Sequence, residues 1–237
     1  EDARRVEYDA NSELLKAAMH WQVHRFVLLS AICVQRPRLA FQREKLRFEG
    51  ALRASGVPWT IIRATAFFKS LSGQVERVRA GKPFLVFGDG TLTACKPVGE
   101  EDLAQYIVEH LVNPASEGSI LPVGGPGPAI TPREQAELLG RLTGKTVRVR
   151  SLPPSLFLVF AALLKPFGHF SSRLNERAEF FRIAHFYATE SMLVWSRESN
   201  GYRADLTPET GSMRLEDCYR SLLAGATSAE LGQHNLF

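Results

Sequence analysis

Arg25-Phe26-Val27-Leu28-Leu29-Ser30, followed eleven residues later by Phe41-Gln42-Arg43-Glu44-Lys45, decides how this chain is read. The first stretch is short, apolar and bounded by polar residues, as expected of a strand buried on both faces of a parallel sheet. Ser30 stands at its end. A loop with Pro37 leads into a helical pattern over 41–54, in which Phe41, Phe48 and Leu52 share a face with Lys45 and Ser55-Gly56 stops the helix. Trp59-Thr60-Ile61-Ile62-Arg63 reads as the next strand. This alternation predicts parallel βα units and an α/β fold.

Working outward, the charged start from Glu1 to Glu7 runs into a helix with Leu14, Ala17, Ala18 and Trp21 on one face. Downstream, Gly88-Asp89-Gly90 marks a tight turn, 100–111 an amphipathic helix closed by Asn113-Pro114, and 119–123 a short strand. Thr131-Pro132-Arg133-Glu134 has the capping-box form, opening a helix that ends at Gly144. From Thr146 the character changes: Pro153-Pro154, an apolar run over 156–164, a Phe-rich stretch and a final helix near 215–224 predict a separate cap or lid. A bilayer span needs about 20 residues. The run over 156–164 is therefore a buried helix, a wall of a substrate pocket or an interfacial contact.

The 237 residues are 45% hydrophobic and 23% charged, with 29 Lys+Arg against 25 Asp+Glu, a composition that excludes disorder, collagen, coiled coil and a disulfide miniprotein. Cys33, Cys95 and Cys218 form no CxxC pair, so neither a disulfide framework nor a zinc site is indicated and a reducing compartment fits best. HExxH and GxSxG are absent, and no metal site is expected. The positive excess is scattered, so nucleic acid is not an expected partner. Gly124-Gly125-Pro126-Gly127-Pro128 reads as a strand-to-helix loop, because its prolines remove the amide donors a phosphate loop needs.

Ser30 with Phe41 and Lys45 resembles the short-chain dehydrogenase/reductase pattern, where a Ser ends the strand and a YxxxK pair on the next helix puts Tyr and Lys on one face. Here Phe41 occupies the Tyr position. Further stretches occur in order: Tyr8-Asp9-Ala10-Asn11, Arg63-Ala64-Thr65-Ala66-Phe67-Phe68, Gly81-Lys82-Pro83, Phe87-Gly88-Asp89-Gly90, Leu121-Pro122-Val123-Gly124-Gly125 and Ala188-Thr189-Glu190-Ser191-Met192-Leu193-Val194. As a set they resemble the divinyl chlorophyllide 8-vinyl-reductase family, an atypical branch of those enzymes, over essentially the whole chain.

The resemblance implies the C-terminal part of a Rossmann-type parallel sheet with a mostly helical substrate-binding cap: residues 1–145 for NAD(P), with 68–96 reaching the substrate side, and 146–237 as the cap. It implies NADPH as cofactor and reduction of the 8-vinyl group of divinyl chlorophyllide or protochlorophyllide to ethyl. By position Lys45 binds the nicotinamide ribose, Ser30 lies beside the nicotinamide, and Thr65, Ala66 and Phe67 line it; Phe68, Lys69 and Phe87 face the substrate. Strand-end turn residues are the plain alternative for Ser30 and Thr65. The family's GxxGxxG turn is missing from these residues, so the chain is expected to correspond to the C-terminal portion of such an enzyme and to bind NADPH poorly alone.

Phe41 has a chemical reading. A carbonyl substrate gathers charge on one oxygen and needs an acid placed there. A vinyl group conjugated to a macrocycle spreads that charge, so a fixed acid is less necessary, and the proton comes from water or a group elsewhere. His169 and His185 are candidates for the substrate's magnesium, and Lys69 and Arg63 for its propionate, with ordinary surface roles as the alternatives. A tetrapyrrole is the expected partner, peripheral membrane contact is compatible with it, and the oligomeric state is left open. The location implied is the cytoplasm of a phototrophic bacterium, or a plastid. Against this stand a non-catalytic NAD(P)-binding regulator or assembly subunit, for which loss of the Tyr would be natural, and an isoflavone-reductase-like enzyme.

Overall fold

Parallel neighbours require a crossover, and the described residues, 2–164 and 172–225 of a computed structural model, supply one after each central strand. The chain opens with α1 (Asp2–Arg4), a π-helical turn (Arg5–Asp9) and α2 (Ala10–His20). β1 (Phe26–Ala31) passes through α3 (Ala40–Ala54) to β2 (Trp59–Ala64), which lies parallel to it with Phe26 opposite Trp59 and Ala31 opposite Ala64. Then come α4 (Phe68–Leu71), α5 (Gly73–Arg79), β3 (Phe84–Phe87) and α6 (Glu100–Val112). β4 (Ser119–Val123) pairs parallel with β2, giving the order β1-β2-β4. The α/β fold expected from the helix–strand rhythm is the one observed.

α7 (Pro132–Thr143) starts on the capping box, with the Thr131 amide donating to Glu134 at 2.7 Å, and stops at Gly144 in the left-handed region, φ 64°. β5 (Val149–Leu152) pairs parallel with β3 in a second, two-stranded sheet. α8 (Ser155–Leu164), α9 (Ser172–Thr189), the antiparallel pair β6 (Val194–Ser196) and β7 (Gly201–Arg203), and α10 (Leu215–Leu223) complete the described chain. One apolar cluster joins Phe68 and Val75, Phe84 and Val86, Leu138 and Leu139, and Leu215, Tyr219 and Leu222. β5 and α10 thus share a sheet and a core with elements on the other side of residue 145.

Three local expectations are corrected. The buried face of α2 is Leu15 and Ala18, not Leu14, Ala17 and Trp21; Trp21 is 76% exposed. Tyr8, Leu15 and Ala18 fall at spacings of seven and three, near whole helical turns, and Tyr8 and Leu15 meet the cluster of Phe48, Leu52 and Ile61. β1 is not buried on both faces: Leu29 is 42% exposed because it opens onto a cleft beside Glu7 and Asn11. α8 is not a buried helix, with Leu163 61% exposed and Leu158, Val159 and Phe160 exposed too. It touches the fold along one edge, where Ala161 is buried and the Phe157 and Phe160 rings lie 6.4 and 5.3 Å from Phe181.

Candidate functional site

The carboxyl ends of β1, β2 and β4 lie side by side, the place where open parallel sheets bind ligands. Each end is braced. The Thr65 amide donates to the Val123 carbonyl at 2.9 Å and its hydroxyl to the Lys96 carbonyl at 2.5 Å; the Ala66 carbonyl accepts from the Val98 amide at 2.9 Å, and Phe67 bridges Val98 in parallel. Gly124-Gly125 is a close backbone approach: a Cβ on Gly125 would sit 1.9 Å from the Pro97 oxygen. This is the loop expected there, and it accounts for the glycines without a phosphate.

On β1 the Ser30 hydroxyl donates to Glu49 Oε1 at 2.7 Å, and Arg63 of β2 clasps the same carboxylate with Nε at 3.1 Å and Nη2 at 2.5 Å. Glu49 is 3% exposed. It lies on α3 one turn beyond Lys45, and Phe41, Lys45 and Glu49 form an i, i+4, i+8 row. Arg63 is therefore committed to a buried carboxylate rather than standing free for a propionate. Lys45 Nζ pairs with Glu7 Oε2 at 2.6 Å, and Glu7, Asn11, Leu28, Leu29, Ser30 and Lys45 enclose a cleft of about 50 Å³. Ser30 and Lys45 are thus brought to one place.

Phe41 packs, half-buried, against a cluster of Ile32, Cys33, Leu39, Cys95, Phe186 and Met192, where Ala31, Ala66 and Tyr187 also pack. Burial pushes the Cys33 thiol up and the Cys95 thiol up to about 12, so both are inert neutral groups here. Burial and the neighbouring Cys33 raise the Tyr187 phenol as well. Glu190, at the end of α9, accepts from Arg36 at 3.1 Å and from the Tyr202 hydroxyl at 2.5 Å and pairs with Arg38 at 2.6 Å, while Arg36 lies 3.9 Å over the Trp195 ring. This lock ties α9 to the segment that follows β1.

The expected substrate residues are dispersed. Phe68 is 2% exposed within the large core, so its ring is closed to a ligand. Lys69 is exposed at the start of α4. Phe87 is half-buried with its ring 4.9 Å from Phe157, part of an aromatic wall between β3 and the α8–α9 pair. Burial and Arg38 lower the His185 pKa, and His169 lies outside the described residues. His20 and His24 are four apart, but among the described residues no group of three metal-binding side chains comes together.

Residues 2–114 match the NAD(P)H-binding family model. The chain is 43% identical over 242 aligned positions to the chloroplastic divinyl chlorophyllide a 8-vinyl-reductase of Cucumis sativus, covering 100% of this chain and 58% of that protein. The chain is similar along its whole length to the divinyl chlorophyllide a 8-vinyl-reductases. The Oryza sativa subsp. indica reductase is 43% identical over 100% of the chain and 60% of its own length, and that of Arabidopsis thaliana 40% over 98% and 57%. The chain thus spans under two thirds of these reductases. Among solved structures, the fold matches leucoanthocyanidin reductase from Vitis vinifera (TM-score 0.61, 17% identity, 89% of this chain and 73% of that one) and NADPH-dependent quinone oxidoreductase from Escherichia coli (0.60, 18%, 88% and 69%).

In this chain, reading the sequence singled out neither Glu49 nor Glu190. Glu49 was signalled by its four-residue step from Lys45. Glu190 follows a helix more than 130 residues away, and no local spacing points to it.

Proposed function

We propose that the protein reduces the 8-vinyl group of divinyl chlorophyllide or protochlorophyllide to ethyl with NADPH. The observation that carries this reading is identity of 43% along the whole chain to a reductase so named, together with Ser30 and Lys45 meeting at the carboxyl ends of a parallel sheet. The donor set suits the nicotinamide end of a dinucleotide. Lys45 gives one ammonium proton to Glu7 and keeps two for ribose hydroxyls. Ser30 gives its proton to Glu49, so its oxygen is left as an acceptor for a carboxamide N–H. NADPH, when bound, supplies hydride. Thr65, Ala66 and Phe67, pinned to residues 96–98 and to β4, form a rigid floor on that side.

In this reading residues 1–145 carry the cofactor side and 146–237 the cap, with Phe87 and Phe157 offering aromatic surface to a flat macrocycle. The exposed apolar edge of α8 supports peripheral contact with a membrane. We place the protein in a plastid, as the named relatives are, or in the cytoplasm of a phototrophic bacterium. The complete gene product, given NADPH and divinyl chlorophyllide, is expected to shift the Soret band to the blue as the vinyl group leaves conjugation. An unchanged band overturns the reading.

A further inference from the structure

Reducing a vinyl group adds a hydride and a proton, and the residue that should carry an acidic proton on α3 is Phe41, which has none. The cluster around that ring contains one phenol. Tyr187 comes in from α9 and packs against the same buried cluster as Phe41 of α3, Ala31 at the end of β1 and Ala66 just past β2. Its ring is fixed from behind by Phe186, 5.6 Å away at 87°. Burial first, then the Cys33 thiol in the same cluster and the Glu7 carboxylate that pairs with Lys45, hold its phenol pKa up. Tyr187 is half-buried.

We propose that Tyr187 supplies the proton of the reduction, a phenol reaching in from α9 in place of the one Phe41 lacks on α3. This rests on the reductase reading above. A bound dihydronicotinamide gives the hydride and leaves oxidised. The proton leaves Tyr187 Oη: its O–H bond breaks as the second C–H bond of the ethyl group forms, and the phenolate recovers a proton from solvent. Neutral Tyr187 has the right form for this task, since a donor must hold its proton until carbanion character develops.

The test uses the complete gene product with NADPH and divinyl chlorophyllide. Tyr187→Phe is expected to lower kcat by about 10²- to 10⁴-fold, the usual range for a lost general acid, with KM for the macrocycle and NADPH affinity as in the parent. Adding Phe41→Tyr to that variant is expected to restore part of the rate, which a packing role for Tyr187 would not allow. A second readout needs no turnover: fluorotyrosine placed at position 187 is expected to shift its fluorine NMR signal when NADP and monovinyl chlorophyllide are added. An active parent with an undiminished Tyr187→Phe variant overturns the proton donor and leaves the reductase reading standing. An unmoved fluorine signal at saturation overturns it too, even if Tyr187→Phe fails to fold. A parent that leaves divinyl chlorophyllide untouched removes both.

Discussion

Ser30 on β1 donates its hydroxyl proton to Glu49 on α3 across 2.7 Å, inside the fold. Arg63 on β2 completes the group, so two strands and their crossover helix are latched by one carboxylate. Three groups that water would otherwise solvate satisfy one another, which is the condition for burying charge at all. The latch also fixes which atoms face the cleft, since Ser30 turns its proton inward.

Glu49→Ala leaves the Arg63 guanidinium without its partner, and breaking a buried pair from one side costs about 3–5 kcal/mol. Ser30→Ala leaves Glu49 still held by Arg63 and costs about 1 kcal/mol. Urea unfolding of both variants measures the contrast, and equal costs would mean that the carboxylate is not the centre of the latch.

Lys45 should separate stability from ligand binding. Its ion pair with Glu7 is about a quarter exposed on both sides, so its loss costs at most about 1 kcal/mol. Lys45→Met is therefore expected to leave the unfolding midpoint nearly unchanged while weakening NADPH binding by the complete gene product about tenfold, the equivalent of one hydrogen bond to a charged group. Fluorescence titration with NADPH reads the second effect.

The central units were legible because their signals are local. β1, α3, β2, α6, β4 and α7 each carry a hydrophobic period, a stop or a cap, and the last is written out in Thr131-Pro132-Arg133-Glu134. α8 was left open among three readings because nine apolar residues look the same whether the fold covers them or not; composition states what could be buried, and only the partners decide. The same holds at the site. Lys45 and Ser30 stand out at a strand end and a helix spacing that resemble the reductase pattern, whereas Tyr187 meets Phe41 only through packing of α9 on the cluster around Cys33.

Buried acids that stay neutral make the fold sensitive to alkali. The Cys95 thiol rises from 9.0 to about 12 on folding, so between these values the unfolded chain has already lost its proton while the folded one keeps it. Unfolded protein binds fewer protons there, and stability falls as pH rises, by up to about 1.4 kcal/mol per unit for one such group. Tyr187 and Tyr219, raised by burial, act in the same sense. Urea midpoints measured from pH 8 upward should decline, and Cys95→Ala should flatten the slope whatever it does to stability at neutrality.

Gly125 and Gly144 should answer differently to alanine. At Gly125 the new methyl meets the Pro97 backbone oxygen, which cannot swing aside, so overpacking of about 3 kcal/mol or more is expected. At Gly144 nothing lies within 4 Å and only the left-handed backbone resists, at about 1 kcal/mol. Thermal unfolding of the two variants compares them, and a mild Gly125→Ala would mean that the 95–98 segment is not clamped against the end of β4.

α8 offers the sharpest contrast within a single helix. Leu158, Val159 and Leu163 project outward, so replacing all three with polar residues removes little buried area and should change stability by less than about 1 kcal/mol while improving solubility. Ala161, two positions from Val159 and Leu163, is closed against its surroundings, and Ala161→Asp would bury an unpaired carboxylate at a cost of several kcal/mol. Far-UV circular dichroism with denaturant titration distinguishes the two sides. If the triple variant unfolded as readily as Ala161→Asp, the outer face of α8 would have to be covered in the folded protein.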